Sequence, residues 1–299
     1  MSSSARKYKQ CRFWLAALLA AFFVLFCINY LLQTLWAHRQ ATFSPDYAMV
    51  DLAPLLAQPS LTDQEYATVF LQTGLSRLAV NQLLFFGQGG IDQILATQAG
   101  FFSAAHIKCV SLLPGRITGE DLILDENGER AGAVPLALVQ PGDIFLSFST
   151  HTAGWRHGHA GLVVDSEHGR TLEAVVLGSD SAVLDMAHWR TYSNFMIVRV
   201  KAATPEERAQ VAQFALDHLD GIPYSLTSGV FGTKAPDVAE ALRSQCSYLP
   251  WYAWQSAGYD LDSDGGRIVT VADLAGSRLL EVIQVYGIDP RDFSSTGAY

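Results

Sequence analysis

The chain lacks the features that assign a protein most quickly. Only 16% of its 299 residues are charged, and the formal net charge is −9. That balance excludes the basic footprint of a general nucleic-acid binder. There is no CxxC, no HExxH and no local Cys/His run. No metal-ligand spacing is therefore legible, and neither a metal nor a cofactor is expected. No internal repeat or low-complexity tract interrupts the chain, whose length suits one large domain or two small ones. Its four cysteines are scattered, at Cys11, Cys27, Cys109 and Cys246. The last opens the stretch "CSYLPWYAWQSAG", and no histidine follows it.

Hydrophobic residues, by contrast, make up 49% of the chain. The excess sits at the N-terminus, where Phe13–Ile28 reads "FWLAALLAAFFVLFCI" without a charge. With Leu31 and Leu32 it reaches the roughly 20 residues that cross a bilayer as a helix. Arg6, Lys7, Lys9 and Arg12 precede it, which predicts a cytoplasmic N-terminus and a single-pass inner-membrane anchor over 13–36. A cleaved signal peptide is the competing reading. Against it, the apolar run is long, no small-x-small site follows, and Cys27 lacks the small residue that precedes a lipoprotein cysteine.

Residues 37–59, punctuated by Pro45, Pro54 and Pro59, read as a tether. A helical extension over 60–104 opens on the capping box "TDQE" at Thr62–Glu65. "GQGG" at 87–90 breaks it, with another helix expected from Ile91. From about Ala105 short apolar strings alternate with turn signals, which predicts antiparallel strands at 143–148, 159–165, 171–177 and 195–200. "DENGER" at 125–130 reads as a hairpin-type turn. Thr204, Pro205 and Glu207 start a helix that ends before Gly221. A last strand is expected near "LLEVIQVYG". The class is α+β: an antiparallel sheet packed against helices, with a helical N-terminal extension.

Cys246 at the front of a helix is placed to act as a nucleophile. Its base must lie upstream. Most of the eight histidines sit in stretches with ordinary surroundings, His188 and His218 among them. The exception is "STHTAGWRHGHAGLVV", with His151, His157 and His159. His159 opens a strand directly after a glycine, a rigid platform for general-base work. His157 lies in the loop beside it, either lining the site or exposed. Glu173, between apolar neighbours on the next strand, suits the group that orients the base, because an unpaired carboxylate there would be costly. Asp180 and Asp185 are alternatives. Cys109 carries no distinguishing context and is expected to be structural, or to pair with Cys246 in a disulfide. "DLDSDGG" at 260–266 lacks EF-hand spacing and reads as a turn.

In this order, "PGDIFLSFSTHTAGWRHGHAGLVV", "TLEAVV", "GIPYS" and "CSYLPWYAWQSAGYDLDSDGG" resemble the circularly permuted papain-like amidases, the YiiX/YaeF type within the NlpC and LRAT-like group. The resemblance covers most of residues 60–275. It implies a permuted papain-like catalytic domain over 105–299, with the histidine strand ahead of the cysteine helix. It further implies Cys246 as nucleophile, His159 as base, Glu173 as the orienting group and Tyr224 as a site-lining tyrosine. The implied activity is hydrolysis of an amide or ester bond outside the cytoplasm, on a peptidoglycan peptide or an acylated lipid. Lipid deacylation or acyl transfer, and a non-catalytic binding module, are the alternatives. Pro250 and Tyr248 depart from the family pattern beside the cysteine, which predicts a reshaped first turn or pocket.

Overall fold

A computed structural model describes residues 3–39, 42–111, 118–152, 155–228, 230, 233–238 and 242–293. The loop expected ahead of Cys246 and that between His151 and His157 thus lie partly outside the described residues. Helix α1 spans Ser3–Arg39. Its segment Gln10–Ile28, 19 residues, is long and apolar enough to cross a membrane. Its side chains, Phe22 and Phe23 among them, are exposed.

The stretch read as a tether lies along the domain instead. Phe43 N–H donates to the Gly287 carbonyl at 2.8 Å. Leu52 and Leu56 are buried, the latter closing the short helix α2, Ala53–Leu56. Three helices follow: α3 (Asp63–Thr73), α4 (Arg77–Leu84) and α5 (Gln88–Phe102). The Thr62/Glu65 capping box starts α3 as expected. Helix α5 begins earlier than expected, with Gly89 and Gly90 in its first turn. A Cβ on Gly90 would stand 1.7 Å from the Leu83 carbonyl oxygen, so glycine here serves close packing of α5 on α4 rather than a break.

Among the described residues, nine strands form two antiparallel sheets. The smaller has the order β1 (His106–Ser111), β2 (Thr118–Leu124), β4 (Thr150–Thr152). None of its strands stood out in the sequence. The larger runs β7 (Ala182–Asp185), β6 (Arg170–Glu173), β5 (His159–Asp165), β3 (Ile144–Ser147), β8 (Phe195–Val200), β9 (Leu280–Tyr286). The β5 and β8 bounds match expectation; β6 stops at Glu173 rather than continuing to Leu177. The turn at Asp125 is present, closed by Gly128 N–H to the Asp125 carbonyl at 3.0 Å.

The larger sheet is covered on both faces. Ile144, Leu146, Leu162 and Val198 meet Val211 and Ala215 of α6 (Pro205–His218) and Leu249 and Trp254 of α7 (Tyr248–Ser256). Phe145, Val163, Ile197 and Ile283 face the other way, towards Val69, Val80 and Ile94 of the helical extension. Two-sided burial explains why "FMIV" and "GLVV" read as continuous apolar runs rather than an alternation. Each such buried side chain contributes about 1.5–3 kcal/mol relative to exposure. The extension is thus the second wall of the core.

Candidate active site

His159 begins β5, opposite Ser147 of β3. Gly158 precedes it at φ 78, and a Cβ there would stand 2.4 Å from the Ser147 carbonyl oxygen. Only glycine admits both the left-handed turn and that approach. The imidazole is buried, and its Nε2 lies 2.7 Å from Glu173 Oε2. Glu173 ends β6, two residues past the Thr171–Val163 pair. Gly161 makes room for the contact: a Cβ there would meet Glu173 Cγ at 2.9 Å and Trp189 Cζ2 at 2.9 Å.

The Glu173 carboxylate is 1% exposed, yet it is well supplied with donors. Thr171 Oγ1 and Trp189 Nε1 donate to Oε1 at 2.5 and 2.9 Å. His188 Nε2 lies 3.4 Å from Oε2, the oxygen that His159 meets. Burial favours the neutral acid, but the hydrogen bonds from His159 and His188 outweigh it and hold Glu173 well below the usual carboxylate range. Trp189 has a second task. Its ring stacks on His159 at 5.2 Å and 11° and on Phe145 at 5.1 Å. One indole thereby fixes both the plane of the base and the position of its acid.

Cys246, 7% exposed, comes from the other layer. Helix α7 starts at Tyr248 with Ser247 as its N-cap, so the thiol sits just ahead of the helix rather than in its first turn. Ser247 Oγ and Gln245 Nε2 both donate to the Val269 carbonyl, at 2.8 and 2.9 Å, fixing the backbone on either side of the cysteine. Pro250 is the third helical residue. Leu249 N–H reaches the Gln245 carbonyl at 3.2 Å and Trp251 N–H the Ser247 carbonyl at 3.4 Å, so the missing Pro250 N–H leaves a one-bond gap at the Cys246 carbonyl. The first turn expected to be altered by Pro250 is interrupted at that one bond and otherwise keeps its helical bonds. Tyr248 points away from catalysis: its hydroxyl donates to the Lys234 carbonyl at 2.7 Å, and its ring stacks on Tyr252.

Burial opposes a charge on His159. Hydrogen bonding to Cys246 and Glu173, with their negative charge, wins and pushes the imidazolium up to about 10. Glu173 takes Nε2, and Cys246 acts on the same ring, so Cys246, His159 and Glu173 are together. Tyr224 is beside them: burial raises its hydroxyl, and so does the charge of Cys246.

His157 stands one residue before Gly158 with both nitrogens engaged, Nδ1 at 2.8 Å from the Gly158 carbonyl and Nε2 at 2.9 Å from Thr152 Oγ1. Asp185 caps a 3-10 helix, Met186–Thr191, through Ala187 N–H at 2.8 Å, and Asp180 bridges to Pro223; neither orients His159. Sequence reasoning missed Trp189, Thr171 and His188. The last was set aside as ordinary, yet it carries a contact to Glu173. The one available signal was the dense "HWRTY" at 188–192, just past the expected strands.

Cys109 also differs from expectation. It forms no disulfide with Cys246; both are thiols, in separate parts of the fold. Its Sγ is 3.4 Å from His151 Nε2, and that same nitrogen is 3.9 Å from Asp121 Oδ1. A Cys–His–acid group thus exists on the small sheet too, from residues too far apart to show as a motif. The "DLDSDGG" segment is a chain of aspartate turns, with Asp262 paired to Lys234.

No family model and no curated protein matches the chain. Among solved structures it is similar to the crystal structure of metalloprotein yiiX from Escherichia coli O157:H7. The two share 16% identity over 49% of this chain and 97% of that one, with a TM-score of 0.39.

Proposed function

We propose that the chain is a membrane-anchored thiol hydrolase that cleaves an amide or ester bond outside the cytoplasm, on a permuted papain-like core. The observation that carries this reading is the buried 2.7 Å contact between His159 Nε2 and Glu173, with Cys246 close enough to raise the pKa of the same ring. In this reading Glu173 fixes the tautomer, and His159 holds its proton next to a thiolate. The positive end of α7 favours negative charge at its approach. The thiolate attacks the acyl carbon, the C–N or C–O bond breaks, and His159 Nδ1 gives its proton to the leaving amine or alcohol. The neutral imidazole then takes a proton from water, whose oxygen attacks the thioester; the C–S bond breaks, the acid leaves and the thiolate–imidazolium pair is restored. The Cys246 backbone N–H serves as oxyanion donor, and Tyr224 walls the cleft.

The N-terminal positive charges and apolar helix favour a cytoplasmic N-terminus with the catalytic domain periplasmic. The test is labelling of Cys246 by a thioester-forming acyl probe, in the full chain and in His159→Ala. The reading expects labelling at Cys246 that slows by about 10²-fold or more without the base. No labelling of the folded wild type would overturn the enzyme. Competition by a cell-wall peptide or by an acylated lipid then separates the two substrate sources.

A further inference from the structure

We propose that Cys109, Asp121 and His151 form a binding site for a borderline-soft divalent cation of the zinc type, with a fourth coordination position open. The three residues come from adjacent strands of the small sheet. Cys109 pairs directly with Asp121, and His151 pairs with Gly119. Gly119 and Asp121 share a face, so thiol, carboxylate and imidazole project to the same side. Gly119 is what lets them meet: a Cβ there would stand 2.6 Å from Cys109 Sγ and 3.3 Å from His151 Cε1.

Their residue types are those of thiol catalysis, but their directions are not. A relay needs the nucleophile on one ring nitrogen and the acid on the other, as the proposed function has it at His159. Here Cys109 Sγ and Asp121 Oδ1 both approach Nε2, at 3.4 and 3.9 Å. All three donor atoms lie within 4.8 Å of one another. Convergence on one point is the geometry of coordination. Tetrahedral zinc, with bonds of about 2.3 Å to sulfur and about 2.0–2.1 Å to nitrogen and oxygen, sets S···N at about 3.5 Å and N···O at about 3.3 Å. A shift of about 0.6 Å in the carboxylate brings N···O to that value.

The surroundings support this chemistry. Asp121 is 0% and His151 3% exposed, so an ion would be largely dehydrated. Cys109 is half-buried, leaving a way in. Arg156 donates to Asp121 Oδ2 at 2.6 Å, orienting the carboxylate with Oδ1 toward His151. Thiolate and carboxylate against one guanidinium leave one net negative charge for the cation. Thiolate with imidazole selects zinc over magnesium or calcium. Coordination by a thiol releases its proton: Cys–SH and M²⁺ give Cys–S–M⁺ and H⁺.

The test uses the untagged full chain in detergent, stripped with a chelator and then titrated with Zn²⁺. Bound metal is counted after gel filtration, and Co²⁺ is the optical probe. Wild type and Cys246→Ser should each hold one Zn²⁺ per chain, release a proton and show a thiolate-to-cobalt band. Cys109→Ser, whose fold is checked by circular dichroism, should lose the band and about 100-fold or more in affinity. His151→Gln should lose comparable affinity. No bound zinc in the wild type, or binding that survives Cys109→Ser, overturns the site. Loss of binding on Cys246→Ser instead would place the metal elsewhere and overturn it equally.

Discussion

Two Cys–His–acid groups lie among the described residues, and they differ in how their partners meet the ring. At His159, Glu173 occupies Nε2 and Cys246 raises the pKa of the ring. At His151 sulfur and carboxylate crowd one nitrogen. The first arrangement passes a proton along a line. The second gathers donors at a point. The charge balance differs in the same sense. His159 is pushed up by its partners to about 10, whereas burial and then the charge of Asp121 push the Cys109 thiol up. Residue identity alone does not distinguish a relay from a ligand set; the ring nitrogens do.

The sharpest way to break the comparison is at the thiol. Cys246→Ser should lower turnover of an acyl substrate by about 10⁴-fold or more while metal content stays at one per chain; a variant that keeps activity would remove the relay. Next is the base. His159→Ala leaves Glu173 buried without its main partner, and chemical denaturation should show a loss of about 3 kcal/mol. His159→Gln, which can still donate to Glu173, should recover stability but not activity. Recovery of both would make His159 structural.

Trp189→Phe is a finer cut. It keeps an aromatic face on His159 but removes the N–H to Glu173 Oε1. Stability should fall by about 1.5–3 kcal/mol, the range for a hydrogen bond to a charged group, and the acid edge of activity should move upward as Glu173 becomes easier to protonate. An unchanged acid edge would show that the indole only packs.

The pH dependence of stability follows from the same pair. His159 is raised from 6.5 to about 10, so its contribution is full below 6.5 and is lost as pH rises through 10. Glu173 is lowered from 4.5, so its contribution is full above 4.5 and is lost on acidification below it. Urea melts should therefore be steadiest between those two values, with an alkaline decline that His159→Gln abolishes. The smallest effect is expected at Pro250, where Pro250→Ala should change stability by less than about 1 kcal/mol, because the one helical bond it restores, to the Cys246 carbonyl, is offset by the greater freedom of the unfolded chain. A larger loss would mean the ring itself holds the cysteine turn.

Much of the candidate site was legible in the sequence. A cysteine ahead of a helix, a Gly-His strand start and a carboxylate embedded in an apolar strand each carry local signals. So do the capping boxes at Thr62 and Thr204, which the structure shows in full. What was not legible depends on register. Trp189 and His188 reach Glu173 only because a 3-10 helix turns back after β7, and no periodicity reports that. Cys109, Asp121 and His151 meet across three strands whose pairing no local pattern fixes. The early end of β6 has the same origin: "AVVL" is apolar enough for a strand, but Leu177 finds no cover and stands 58% exposed.

The central claim is that His159 is an imidazolium held between Cys246 and Glu173. It is tested most directly by following the ring nitrogens of His159 by ¹⁵N NMR from pH 5 to 11 in the full chain. The account predicts both nitrogens protonated through neutral pH, with a transition near 10 that falls toward the ordinary histidine value in Cys246→Ser. A neutral ring at pH 8, or a transition indifferent to Cys246, would contradict it.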